Sequence, residues 1–519
     1  MTPDLLASFL EKFLAESSLG VVLEEGQIVF DLASAHYSIS SEQGRCLLHF
    51  WSQERNIVRQ VLNAELKHGT LHLAVRKFAQ MRPNKLLICR DRDQRTPTAR
   101  KNARTQYLKL LERLLEREFP GWTIGKLSSS MDLKRSLSPV YTRGLLRKGN
   151  SSMAVLGVNR EETQASVDAI LTFGLIWLDD CRQREAGRSV VEGLHLFVPD
   201  GRSATLQLRM AHLNREMAKF HLTEVEEQDR TLTGKECRLV APADSYLAPR
   251  ADTAAIAEQF SSAVSKIRAL IPAAEIAVRS PLEISFRLHG LDFASLRFVS
   301  EEGSFKSSPA LFFGTSGAET QLTDENQAQF ASLVHRISTA RNAAGDRNDP
   351  FWRMYPERWL ESLVMANIPV LDPSLVPAPV YSQVPAFSVA DRSLIDVLAC
   401  TAKGRLAVVE LKADEDIHLP VQGIDYWARV AWHHQREEFQ QHGYFPKMRL
   451  SKQAPLLLMV APALRIHPAA ETVIRYFSPT IEWQLIGMDE RWREELRVIF
   501  RKTPVSSGHF QSFQATAAE

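Results

Sequence analysis

The stretch from Leu394 to Asp416, LIDVLACTAKGRLAVVELKADED, constrains this chain more than any other. Two apolar runs flank a short polar turn around Ala402, Lys403 and Gly404, the pattern of two antiparallel strands. Three charged residues interrupt them: Asp396 in the first run, and Glu410 and Lys412 in the second. Side chains alternate faces along a strand, so Glu410 and Lys412 share one side and Leu411 points into the core on the other. Asp396 lies on the paired strand, where its carboxylate can approach that of Glu410 across the hairpin.

Charged groups inside an apolar sheet are costly unless they are paired or bound to a metal. Two adjacent carboxylates repel, and a divalent cation relieves that repulsion. Mg²⁺ or Mn²⁺ suits a donor set of Asp396, Glu410, the backbone carbonyl of Leu411 and water. A lysine two residues on can orient or deprotonate water and offset the charge of a phosphate. The plain alternative is an ion pair that joins neighbouring strands and does nothing else.

Asp396, a turn, and then Glu410-Leu411-Lys412 resemble the motif of the PD-(D/E)XK nuclease superfamily. The following Gln422-Gly423-Ile424-Asp425-Tyr426 is similar to the Q-x-x-x-Y element of its RecB-like branch. Ile395 stands where the superfamily's name has proline. The resemblance covers about the last third of the chain and implies a restriction-endonuclease-like mixed sheet flanked by helices. It also implies Mg²⁺- or Mn²⁺-dependent hydrolysis of phosphodiester bonds, in DNA before RNA. Asp396 and Glu410 would hold the metal, with Lys412 acting beside them. The preceding helix, PERWLESLV, is where such enzymes often carry an acid, with Glu361 the better candidate and Glu357 the other. Gln422 and Tyr426 share a helical face, which Arg429 and His433 extend into a surface suited to phosphates. An ordinary amphipathic helix accounts for that face equally. A non-catalytic nucleic-acid-binding or interaction protein with the same fold is the competing reading.

At 519 residues the chain exceeds one compact core. Its pattern divides into a mostly antiparallel sheet plus helix (1–95), an α/β region (105–240), an α+β region (251–345), the nuclease-like region (351–502) and a flexible tail (503–519). Within the first of these, NIVRQVLNAEL has helical spacing. Between the first two lies a basic stretch, Arg92 to Arg104, that reads as a solvated linker able to touch phosphates. APADSYLAPRAD reads as a second linker.

The two α/β regions run in parallel. A helix precedes each sheet, SSMAVLGVN matches GRLAVVELK, QASVDAILTFGLIWL falls where QGIDYWARVAW falls, and KFHLTEV falls where TIEWQLI falls. On that alignment Gly157 and Asn159 replace Glu410 and Lys412, and the first region is an inactive copy. Chance similarity within shared α/β patterning accounts for the match as well.

The net charge of +2 does not by itself announce a nucleic-acid partner. The five cysteines form no CxxC pair, so the spacing excludes a zinc ribbon and points to buried thiols in a reducing, cytoplasmic setting. No phosphate-binding glycine loop is present, so no ATP motor is expected. A homo-oligomer or protein partner is compatible with the pattern.

Overall fold

A computed structural model describes the whole chain except residues 1, 16, 18–19, 25–26, 33–34, 43–44, 52–55, 68–69, 77–83, 91–96, 133–134, 229–230, 241–244, 251–252, 301–306, 316–318, 388–393 and 505–519. Most of the expected tail lies outside the described residues. The fold is mixed α/β with several sheets. By compactness it divides into two units, Met1–Asn102 with Phe312–Gln321, and Ala103–Leu311 with Leu322–Glu519. The regions expected at 105–240 and 351–502 both belong to the larger unit, as does nearly all of 251–345. No helix among the described residues is long and apolar enough to cross a membrane.

In the smaller unit the helix Pro3–Ala15 covers a seven-stranded antiparallel sheet through Leu6, Leu10, Phe13 and Leu14. The segment NIVRQVLNAEL, expected as a helix, is instead the strand Asn56–Lys67, paired on both sides. Its helix-like spacing has a local cause. Val61 and Ala64 are three apart yet both buried, because the register shifts between Val61 and Asn63. A bulge inserts an extra residue, so the alternation of faces slips by one.

The larger unit contains one topology twice. In the first repeat, α1 (Pro97–Glu118) precedes β1 (Thr123–Ile124), β2 (Tyr141–Lys148) and β3 (Ser151–Val158). Then follow α2 (Gln164–Glu185), β4 (Val190–Pro199), α3 (Ala204–Ala211), β5 (Lys219–Gln228) and β6 (Thr231–Glu236). In the second repeat, α4 (Pro356–Ala366) precedes β7 (Tyr381–Phe387), β8 (Leu394–Cys400) and β9 (Leu406–Leu411). Then follow α5 (Leu419–Gln435), β10 (Leu456–Pro462), α6 (Ala470–Ile474), β11 (Trp483–Met488) and β12 (Val498–Lys502). In each sheet the first three strands are antiparallel, the third, fourth and fifth run parallel, and the sixth returns antiparallel. The parallel crossovers require connecting helices, which α2, α3, α5 and α6 supply.

The repeats share a core. Leu156, Leu171, Leu196 and Leu206 of the first belong to one cluster with Val408, Ile424, Met459 and Val473 of the second. Equivalent chain segments also pair with each other. Leu213 after α3 bridges Phe477 after α6, the Asn214 N–H donates to the Tyr476 carbonyl over 2.9 Å, and the Ser478 N–H donates to the His212 carbonyl over 2.9 Å. This reciprocal contact is the signature of a two-fold arrangement.

Facing side chains correct the alignment of the repeats by one residue. Pro199 and Pro462 end equivalent strands, and two residues earlier Phe197 pairs Gly157 while Val460 pairs Leu411. Gly157 therefore corresponds to Leu411, and Leu156 and Val158 stand where Glu410 and Lys412 do. Gly157 faces α1, where an added Cβ would lie 2.6 Å from the Tyr107 hydroxyl oxygen and 2.9 Å from Leu111. Of the two expected linkers, residues 91–96, 241–244 and 251–252 lie outside the described residues, and the remainder includes regular structure. Helix α1 starts at Pro97, Arg104 pairs Glu162 at 3.0 Å, and Tyr246–Leu247 adds an edge strand to the second sheet.

Candidate active site

The three charges of the hairpin come together where β8 and β9 part. Their ladder runs from Cys400–Leu406 to Val397–Val409 and ends there. Beyond it, the Leu411 N–H donates to the Asp396 carboxylate at 3.1 Å instead of to a strand. Lys412 stays attached on the other side, its N–H donating to the Val460 carbonyl over 2.9 Å. The splay lets side chains that alternation alone would leave in the core open onto a cleft of about 170 Å³ lined by Glu357, Arg358, Glu361, Gln383, Asp396 and Leu411.

Glu410 is 0% exposed, and neither carboxylate oxygen has a hydrogen-bond partner of good geometry. Its nearest cation is the Lys412 ammonium, 3.2 Å from Oε1. Burial, followed by the neighbouring Asp396 carboxylate, pushes its pKa well above the ordinary value, against the pull of Lys412. Burial raises Asp396 too, opposed by the Leu411 N–H and Lys412. Lys412 itself is drawn down by burial, but Glu410, Glu357 and Asp396 outweigh this and hold it above its usual range. Glu357 lies 3.9 Å from that ammonium.

Glu361 lies in the cleft, anchored by its helix: Trp359, Leu360 and Val364 of α4 pack on the sheet. Its carboxylate accepts from Gln383 Nε2 at 2.8 Å. Burial and the nearby Asp396 push its pKa up to about 7. Gln383, which the sequence did not single out, sits between paired residues of β7 with φ of +50°, and this turns it out of the regular strand. Arg358 is the other unanticipated lining residue.

Helix α5 divides between expectation and correction. Tyr426 is half-buried: burial raises its hydroxyl pKa above the ordinary value, and the charges of Glu410 and Asp396 raise it further. The side-chain oxygen of Gln422 is buried without a hydrogen-bond partner. Arg429 and His433 do not form a phosphate-binding surface. Arg429 is 6% exposed, and His433 is 0% exposed and bonded to Ser245 Oγ at 2.8 Å and to Glu438. The helix lies in the core shared by the two repeats, so little of it meets solvent. Asp425, inside the Q-x-x-x-Y element, is held by Arg209 of α3 through contacts of 2.6, 2.9 and 3.1 Å. Arg209 also donates to the Asp168 carbonyl of α2. Of the acidic residues after Lys412, Asp416 accepts the His418 N–H at 2.7 Å just before α5.

Among the described residues, no group of three or more His, Cys, Asp or Glu side chains is arranged to hold a metal ion. The donor chemistry still fits a hard divalent ion. Two carboxylates adjoin, neither oxygen of Glu410 has a hydrogen-bond partner of good geometry, and Asp396 lines an acid-rich cleft. Comparisons with protein-family models, with curated proteins and with solved structures find no match.

Proposed function

We propose that the second repeat hydrolyses phosphodiester bonds of a nucleic acid, DNA before RNA, in the manner of a PD-(D/E)XK-like nuclease using Mg²⁺ or Mn²⁺. The observation that carries this reading is the fully buried Glu410 carboxylate, without a hydrogen-bond partner of good geometry, beside Lys412 and beside Asp396, which lines the cleft. Such a group is expensive to bury without a compensating cation. Asp396, Glu410 and the Leu411 carbonyl would hold the ion. When bound, it offsets charge developing on a phosphate and makes water more acidic.

The protein's own groups supply the rest. Lys412, held charged by its carboxylate neighbours, places a positive charge beside the reacting phosphate. Glu361, with a pKa of about 7, exchanges a proton readily at neutral pH and suits a general acid or base. Tyr426 approaches from α5 and, with Gln422, positions the strand.

A second reading, nucleic-acid binding without hydrolysis, draws on one observation: Lys412 already lies 3.2 Å from Glu410 and can neutralise it without a metal. Incubating plasmid, single-stranded DNA and RNA with Mg²⁺ or Mn²⁺ separates the two. Cutting by the parent chain that disappears in Asp396→Ala and Lys412→Ala is the expected result. Equal background in all three proteins would refute the hydrolase.

A further inference from the structure

We infer that three arginines gathered around Asp292 at the rim of the cleft form a binding site for the backbone phosphates of a nucleic-acid strand. The site is built by the region before the second repeat. Antiparallel strands Glu275–Ser280, Glu283–Leu288 and Leu291–Ser300 bring Arg279, Arg287 and Asp292 together, and α4 adds Arg358. The Asp292 carboxylate takes Arg279 at 2.9 Å, Arg287 at 2.9 Å and Arg358 at 3.3 Å.

The geometry ties this cluster to the cleft. Gly290, at the tip of the second hairpin, has φ of +73°, and a Cβ there would lie 2.3 Å from the Arg358 carbonyl oxygen. The tip therefore seats against α4, one turn before Glu361, and Arg358 itself lines the cleft. The charges of Arg287 and Arg358 act on Glu361, opposing the effects of burial and Asp396.

Three guanidiniums converge on the single carboxylate of Asp292. Each guanidinium has five N–H donors in a planar fork suited to phosphate oxygens, and Asp292 takes one from each. The side chains of Arg279 and Arg358 are 38% and 42% exposed, so a strand entering the cleft can reach them.

This inference rests on the reading of the cleft as a phosphodiester site, and its test avoids catalysis. Fluorescence anisotropy of labelled single-stranded DNA, duplex DNA and RNA is measured on the full chain without divalent metal across a range of salt. Arg279→Ala with Arg358→Ala should weaken binding by about tenfold or more and lower the slope of log K against log salt by about one to two. Asp292→Asn is nearly isosteric and adds one net positive charge, so it should tighten binding and steepen the slope. An alanine pair that binds within about twofold of the parent, with the same slope, overturns the site. If that pair does not fold, Asp292→Asn decides, and unchanged or weaker binding overturns it. Arginine-dependent binding by a chain that never cuts would sink the hydrolase alone and leave this site standing. The DNA and RNA arms identify which backbone it accepts.

Discussion

Where the second repeat has Glu410 and Lys412, the first has Leu156 and Val158, and where Asp396 lies opposite Glu410, Arg143 lies opposite Leu156. The ladders differ in the same place. In the first repeat β2 and β3 stay paired through Thr142–Gly157 and Tyr141–Val158. In the second the ladder stops at Val397–Val409 and an acidic cleft opens beyond it. On the closed side, Tyr107 and Leu111 of α1 fill the space beside Gly157. One topology thus supports a closed ladder and a splayed, charged one. The first repeat also reaches toward the second's candidate site, because Arg209 grips Asp425 on the helix that carries Tyr426.

The comparison breaks most visibly at the paired acids. Asp396→Asn should reduce metal-dependent cleavage by at least about a thousandfold, roughly 4 kcal/mol in barrier, without changing the fold. Cleavage at the parental rate would make the two repeats functionally equal. Next in size is the link between repeats. Arg209→Ala leaves the buried Asp425 without its ion-pair partner and should destabilise the chain by about 3–4 kcal/mol in denaturant melts, whereas Arg209→Met with Asp425→Leu should recover most of that loss. Giving the second repeat the first repeat's residues, E410L with K412V, should abolish cleavage. It should also raise stability by about 1–3 kcal/mol, since an apolar pair replaces a buried ion pair. A fall in stability would show that the pair is structural.

A pH test sharpens the contrast further. Glu361 has a folded pKa of about 7 against an ordinary 4.5, so the folded state keeps a proton that the unfolded state releases. Its contribution to stability therefore declines as pH rises from about 4.5 to 7. Glu361→Gln should remove that decline and be more stable than the parent at pH 8, on the order of 2 kcal/mol, with little difference at pH 4. The smallest effect belongs to the first repeat: Tyr107→Phe removes a buried hydroxyl without a hydrogen-bond partner and should change stability by no more than about 0.5 kcal/mol. Cleavage should be unaffected.

Much of the candidate site was legible because its signals are local. Asp396, Glu410 and Lys412 interrupt apolar runs, and a charge inside a strand declares itself within a few residues. Glu361 was harder, because a helix position shows period but not which side becomes a cleft. Gln383 and Arg358 carried no signal, since one depends on a left-handed backbone angle and the other on a hairpin docking from residues 283–300. Arg429 and His433 were misplaced for a related reason: a polar stripe on a helix looks solvated until neighbouring helices and the Ser245 segment cover it.

From the amino-acid order alone came most element types, though not the strand Asn56–Lys67, together with the strand–turn–strand bearing the charges and the similarity of two α/β regions. All of these follow from hydrophobic spacing over short windows, which local backbone geometry converts into structure. Register, facing and closure were settled only by tertiary packing. A slip of one residue moves every side chain of a strand to the opposite face, and two similar patterns cannot reveal such a slip until their neighbours are in place. That is why Gly157 proved to match Leu411 and not Glu410, and why the partnership of Arg209 with Asp425, 216 positions apart, became visible only once the chain had folded.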